Sequence, residues 1–257
     1  MEKTFFDAAC GGKAEEVKEI LRKDPTLDVN LRSGDVAEHP AALHRACQIG
    51  EKSVVSILLA HPGIDVNQKS DAGFTPFLCA CKNGRISCVR LLLKDSRVNL
   101  NEPNEDGFTP LQSAASNGFH GIVKWWIASG REMDLGKPGD RKTDAIGAAK
   151  EWSMIEVAEL LERFQDNPEE TRHVVRVELG LVDELAAEML ALVVFICDDL
   201  LEVKVTTTTP AVRFFNIARQ LPLELQMVLC FRQVGSAKEI ISGRDRESGF
   251  KNLAGRV

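Results

Sequence analysis

The chain has 257 residues, 44% of them hydrophobic and 27% charged, values ordinary for a folded globular protein with ample length to bury a core. A net charge of -6 and a sequence pI near 5.5, with no Lys/Arg-rich run, give no electrostatic footprint for nucleic acid. Seven cysteines, an odd number, together with the absence of any Asn-x-Ser/Thr acceptor, argue against a secreted disulfide framework and for the reducing setting of the cytoplasm or nucleus.

In chain order, the opening MEKTFFDAACGGKAEEVKEI lacks a basic start followed by a long apolar core, so neither a signal nor a transit peptide is expected. Its DAACGGKAEEVKEILRK is a weak first copy of a repeated unit, with Ala8, Gly12, Val17 and Leu21 standing thirty-eight positions before Ala46, Gly50, Val55 and Leu59. From there a period of thirty-four aligns Ala46, Ala80, Ala114 and Ala148. The same offset aligns Val55, Val89, Val123 and Val157, and also Leu59, Leu93, Ile127 and Leu161. Gly50, Gly84 and Gly118 form a further column whose fourth place is taken by Trp152.

Each unit spells two short helices and a turn. Thr75 and Thr109 are N-caps, with Pro76 and Pro110 at the first helical position, where a missing N–H costs nothing. Asn83-Gly84 and Asn117-Gly118 end that first helix through a left-handed glycine. A second helix then carries apolar residues at helical spacing, Val54, Val55, Leu58 and Leu59 in one copy and Cys88, Val89, Leu92 and Leu93 in the next. The joining segments IDVNQKSDAG and VNLNEPNEDG, rich in Asn, Asp and Gly, predict protruding hairpin-like loops.

These residues resemble the ankyrin repeat, with its G-x-T-P-L-H-x-A-A-x-x-G core and downstream V-x-x-L-L. GFTPFLCACKNGRISCVRLLL and GFTPLQSAASNGFHGIVKWWI carry the pattern closely, and HPAALHRACQIGEKSVVSILLAHPGIDVN carries it without the Thr-Pro. TDAIGAAKEWSMIEVAELLERFQ keeps the framework but loses Pro and Gly. The resemblance covers roughly residues 4–166 and implies an all-α solenoid of about five helix-turn-helix units, near 4–38, 39–72, 73–106, 107–140 and 141–166. It also implies that His44, at the consensus His, supports a turn by hydrogen bonding. For function it implies a non-enzymatic scaffold that binds a protein or peptide on a concave face of loop tips and first helices. The positions carried over are Asp71, Ala72, Phe74, Lys82 and Asn83 in one unit and Glu105, Asp106, Phe108, Ser116 and Asn117 in the next. In the flanking units they are Gln48 and Ile49, and Lys142, Lys150 and Glu151. Phe74 and Phe108, on consecutive loops, either anchor a peptide as an aromatic patch or brace adjacent loops.

No catalytic or metal-binding motif is complete in the sequence. Cys79 and Cys81, two apart on a helix, point away from each other, and no His lies in their repeat, so Cys79, Cys81 and Cys88 are read as packing. GREMDLGKPG, residues 130–139, misses the phosphate-loop spacing by one residue and has Pro138 where Ser or Thr is needed, which leaves an inter-repeat loop. No cofactor or metal is expected. Of Trp125 and Trp126, at least one must fill the core position of Leu91 and Leu92, while Trp152 stands where the other units have a turn glycine, which makes its exposure a point to test.

After Phe164 the period fails. Asn167-Pro168-Glu169-Glu170 starts a helix, and VDELAAEMLALVVFICDDLLEVK is a long, largely apolar one. Its longest apolar stretch, Met189 to Cys197, falls well short of the ~18 residues of a membrane span. Further helices are expected over 211–220, after Leu221-Pro222 and over 246–255, with the Thr206–Thr209 run as a loop. Residues 167–257 are expected to cap the last repeat, since a terminal unit lacks a neighbour. The alternatives are an enzyme-like domain or an oligomerisation surface, with a monomer favoured.

Overall fold

A computed structural model of the chain describes residues 2–32, 41–197, 218 and 223–233. Among the described residues there are thirteen helices and no strand. The all-α expectation is met. The end of the long helix beyond Cys197 and the helices and loop expected over 206–220 and 246–255 lie outside the described residues, apart from Ala218.

Ten helices form five consecutive pairs: α1 Glu2–Cys10 with α2 Ala14–Lys23, α3 Ala42–Ile49 with α4 Lys52–Leu59, and α5 Pro76–Lys82 with α6 Ile86–Lys94. α7 Pro110–Ser116 with α8 His120–Ser129 and α9 Ala145–Glu151 with α10 Ile155–Asp166 complete the series. First helices stack on first helices, α1 on α3, α5, α7 and α9 in turn, and second helices stack likewise from α2 to α10. No pair covers its own apolar face, so burial comes from stacking. Small side chains permit the close approach: Ala46, Ala80 and Ala114 are fully buried between first helices.

The caps have the expected chemistry. Thr75 Oγ1 accepts from the Leu78 amide and Thr109 Oγ1 from the Gln112 amide, both at 3.2 Å, with Pro76 and Pro110 opening the helices. Gly84 and Gly118 turn the chain at φ 69° and 70°. A side chain there would strike the next unit as well as strain the backbone. A Cβ on Gly84 would lie 2.8 Å from the Phe119 ring, and one on Gly118 2.4 Å from Met154 Sδ.

The fifth unit departs from the period of thirty-four. Asp144, thirty-five residues beyond Thr109, is its N-cap, with Oδ1 accepting from the Gly147 amide at 2.7 Å. At its far end Ser153, not Trp152, takes the left-handed turn, at φ 58°. One inserted residue has moved the register. Ala149 therefore replaces Ala148 as the counterpart of Ala114, and Trp152 takes the place of Asn117 rather than of Gly118.

Two compact units divide the chain, Met1–Arg172 and His173–Val257. The helix α11 Pro168–Glu178 starts where Asn167 Oδ1 accepts from the Glu170 amide at 3.2 Å. In the second unit α12 Leu181–Cys197 packs on α13 Leu223–Gln233 around Ala186, Ala187, Leu190, Val193, Met227 and Cys230. Among the described residues no helix is long and apolar enough to cross a membrane.

Candidate partner-binding groove

The loops that carry the candidate residues are tight hairpins. The Ser70 and Asn104 amides donate to Phe74 O and Phe108 O at 3.0 and 3.1 Å, and the Gly73 and Gly107 amides close each tip at 2.9 Å. Ser70 Oγ and Asn104 Oδ1 then accept from the amides of Phe74 and Phe108, which fixes each aromatic at the top of its first helix. Neighbouring tips are tied by the Glu105 amide on Ala72 O at 3.3 Å. Below the tips the loops are cross-linked by Asx side chains. Asn30 Oδ1 accepts from the Asp65 amide, Asn67 Oδ1 from the Asn99 amide and Asn101 Oδ1 from the Asp134 amide, so each loop is pinned to the next. The result is a row of loops with few free torsions, a preorganised surface.

Between the tips and the first helices of the third to fifth units runs an open groove of about 420 Å³. Phe74, Lys82, Asp106, Phe108, Ser116 and Asn117 line it, with Asn104, Gln112, Ser113 and Trp152. Phe108 is 37% exposed and Trp152 60%. Phe74 is half-buried, and the Lys82 ammonium sits 4.6 Å from its ring centroid, held by the ring quadrupole. In the earlier units the Asn at the end of the first helix bonds to its own helix, Asn83 Nδ2 to Cys79 O and Asn117 Nδ2 to Ser113 O, both at 2.8 Å. Trp152 has no such bond to make. The same position therefore becomes an outward apolar surface, through the one-residue register change.

Of the fifteen sequence candidates, six thus share one groove. Asn83 is turned onto its helix, and Asp71 is paired with Arg32 at 2.7 Å. Gln48 and Ile49 are half-buried beneath Arg85, whose Nε donates to Gln48 O at 2.9 Å. Glu105 is exposed beside the groove and Ala72 is half-buried. Lys142 lies across Gly107, Lys150 is paired with Glu162 at 2.5 Å and Glu151 with Arg141 at 3.1 Å. Register corrects the fifth unit: Glu151 and Trp152, rather than Lys150 and Glu151, are the counterparts of Lys82 and Asn83.

The buried polar groups and thiols serve the fold. His44 Nδ1 accepts from the Ala41 amide at 3.2 Å while Nε2 donates toward Gln68 O and Phe74 O at 2.7 and 2.9 Å. Burial holds its pKa below the usual imidazole value. Cys47 and Cys81 are fully buried, which pushes their thiols well up, and burial raises Cys88 to about 11. Such thiols stay protonated and unreactive. Among the described residues no three His, Cys, Asp or Glu side chains gather in a metal-ligating group. Trp126 is fully buried with Phe77 edge-on at 5.0 Å, while Trp125 is half-buried under the Arg90 guanidinium at 3.8 Å. GREMDLGKPG joins α8 to α9 as a loop, as expected.

A row of helical hairpins stacked in register, with tight loop tips over first helices, defines a repeat-built interaction module. The family model "Ankyrin repeats (3 copies)" matches residues 5–103 and 43–137, more than half of the chain, which belongs to the ankyrin repeat family. Ankyrin repeats generally mediate protein–protein interaction. Among individual proteins the chain is similar to the 26S proteasome non-ATPase regulatory subunit 10 of Homo sapiens, 38% identical over 68 residues, 26% of this chain and 28% of that protein. The Rattus norvegicus subunit of the same name is 37% identical over 68 residues, 26% and 27% of the two chains. The match thus spans little more than a quarter of these relatives' length.

Proposed function

We propose that the protein is a non-enzymatic interaction scaffold that holds a protein or peptide segment in the groove beneath the loop tips of the third and fourth units. The observation that carries this reading is the exposure of Phe108 and Trp152 in a groove otherwise lined mainly by polar side chains. Large exposed aromatics on rigid supports are the side chains from which binding hot spots are made. The partner contacts are Phe74, Lys82, Asp106, Phe108, Ser116, Asn117 and Trp152, with Glu105, Asp71, Gln48, Ile49, Lys142 and Glu151 along the rim. Residues 1–166 form the binding array in this reading and residues 167–257 its helical cap, in a monomer of the cytoplasm or nucleus.

The likeness to the proteasome regulatory subunit supports the class of module and not its partner, because 68 residues are two repeat periods and the repeat is mostly framework. Affinity capture with the intact chain beside a Phe108→Ala/Trp152→Ala variant tests the groove. Proteins held by the wild type and lost by the variant are expected. Equal recovery of every bound protein would count against this face.

A further inference from the structure

We propose that the groove selects its partner through an arginine side chain, whose guanidinium pairs with Asp106 and lies against the exposed rings of Phe108 and Trp152. This rests on the groove being the binding face and adds the chemistry of what enters it.

The charges in and beside the groove are unevenly committed. Lys82, the cation in the lining, is held over Phe74 at 4.6 Å. Near the groove, Arg141 is paired with Glu151, Lys150 with Glu162 and Arg32 with Asp71. Asp106 is exposed, lines the groove and has no hydrogen-bond or ion-pair partner among the described residues. Within the lining an incoming cation therefore meets a free carboxylate, with Glu105 exposed beside it and Lys142 on the rim across Gly107, whereas an incoming anion meets a lysine already engaged.

Arginine suits this site because its two needs are met by the two kinds of group present. The guanidinium plane stacks on an aromatic face, and its edge presents a fork of donors to a carboxylate. The chain uses half of this recipe within itself. Arg90 lies over the Trp125 ring at 3.8 Å and Lys82 over Phe74 at 4.6 Å, so both kinds of cation already rest on its aromatic rings. Among the described residues no cation lies over Phe108 or Trp152, so they offer the same faces uncovered, and Asp106 adds a counter-charge. A lysine would satisfy the carboxylate but not the planar stack, and an uncharged side chain only the rings.

The test is selection of random peptides of about 12 residues displayed on phage against the immobilised intact chain, followed by binding of the enriched peptides in solution. Enriched peptides are expected to carry arginine and to lose affinity for Phe108→Ala/Trp152→Ala. Replacing that arginine by citrulline, its uncharged near-isostere, is expected to weaken binding about tenfold, a loss typical of a desolvated cation–π and ion-pair contact. Asp106→Asn is expected to narrow the gap between the arginine and citrulline peptides without closing it, because the rings still favour a cation, and the peptide comparison stands even if that variant folds poorly. Peptides that need the two aromatics but bind equally with arginine or citrulline would overturn the arginine assignment and leave the groove as the binding face. If no enriched peptide depends on Phe108 and Trp152, both readings fall.

Discussion

His44 lies inside the protein at the third position of α3, where it bonds a cap and a neighbouring loop at once. Burial disfavours its charged form, so its folded pKa lies below the unfolded value near 6.5. The unfolded chain then binds more protons at mildly acid pH. The stability His44 contributes is fully present above pH 6.5 and is lost as pH falls through that value toward the folded pKa. In the fourth unit Gln112 does a similar task without titrating, donating to Arg141 O at 3.2 Å. His44→Gln is therefore expected to cost about 1 kcal/mol or less at pH 7.5, the worth of a rearranged neutral hydrogen bond. Below pH 6 its urea midpoint is expected to fall less than that of the wild type. A pH dependence identical in both proteins would assign the acid sensitivity to other groups. The role of His44 was legible from the consensus residues around it. That of Trp152 was legible only as a question, because Thr143 and Asp144 both offer a cap and the period of thirty-four favours the wrong one.

At the scale of the elements, the second helices end on arginines supplied by later units. Arg97 donates to Leu59 O at 2.8 Å, and Arg131 to Asp95 O and Val98 O at 2.9 and 2.7 Å and to Leu93 O at 3.4 Å. Arg172 closes the series on Ile127 O at 3.3 Å. Each guanidinium faces orphan carbonyls at the negative end of a helix, where a cation is favoured on both counts. Arg131 is half-buried and holds three carbonyls, whereas Arg97 is exposed and also paired with Asp95. Arg131→Ala is expected to cost about 2–3 kcal/mol in urea unfolding and Arg97→Ala under about 1 kcal/mol. Equal costs would show that burial does not set the strength of these links. The helices were legible because caps and apolar spacing are local. The arginine ladder was written at the same period, Arg97 to Arg131, yet a polar column carries no helix signal of its own. Arg172 is out of register and had no sequence signal at all.

Across the whole molecule, two tryptophans separate what holds the stack from what meets a partner. Trp126 lies at 0% exposure between units, edge-on to Phe77 of the preceding one, with its Nε1 donating to Glu132 O at 3.3 Å. Truncating it leaves a cavity across an interface, which typically costs about 3–5 kcal/mol. In a stack where each unit contacts only its neighbours, that loss is felt first by the units sharing the interface. Trp126→Ala is thus expected to lower the urea midpoint strongly and to reduce amide protection in α5–α8 before α1–α4. Trp152 is 60% exposed and is tied to its helix by its backbone amide, on Ala148 O, which an alanine keeps, so Trp152→Ala is expected to change stability by no more than about 0.5 kcal/mol while removing binding in the groove. Hydrogen exchange on both variants, set beside a binding measurement on the second, resolves the two roles. Protection lost uniformly in Trp126→Ala would mean that the array unfolds as one unit. A marked loss of stability in Trp152→Ala would make that ring part of the fold, and its exposure could no longer be read as a surface kept for a partner.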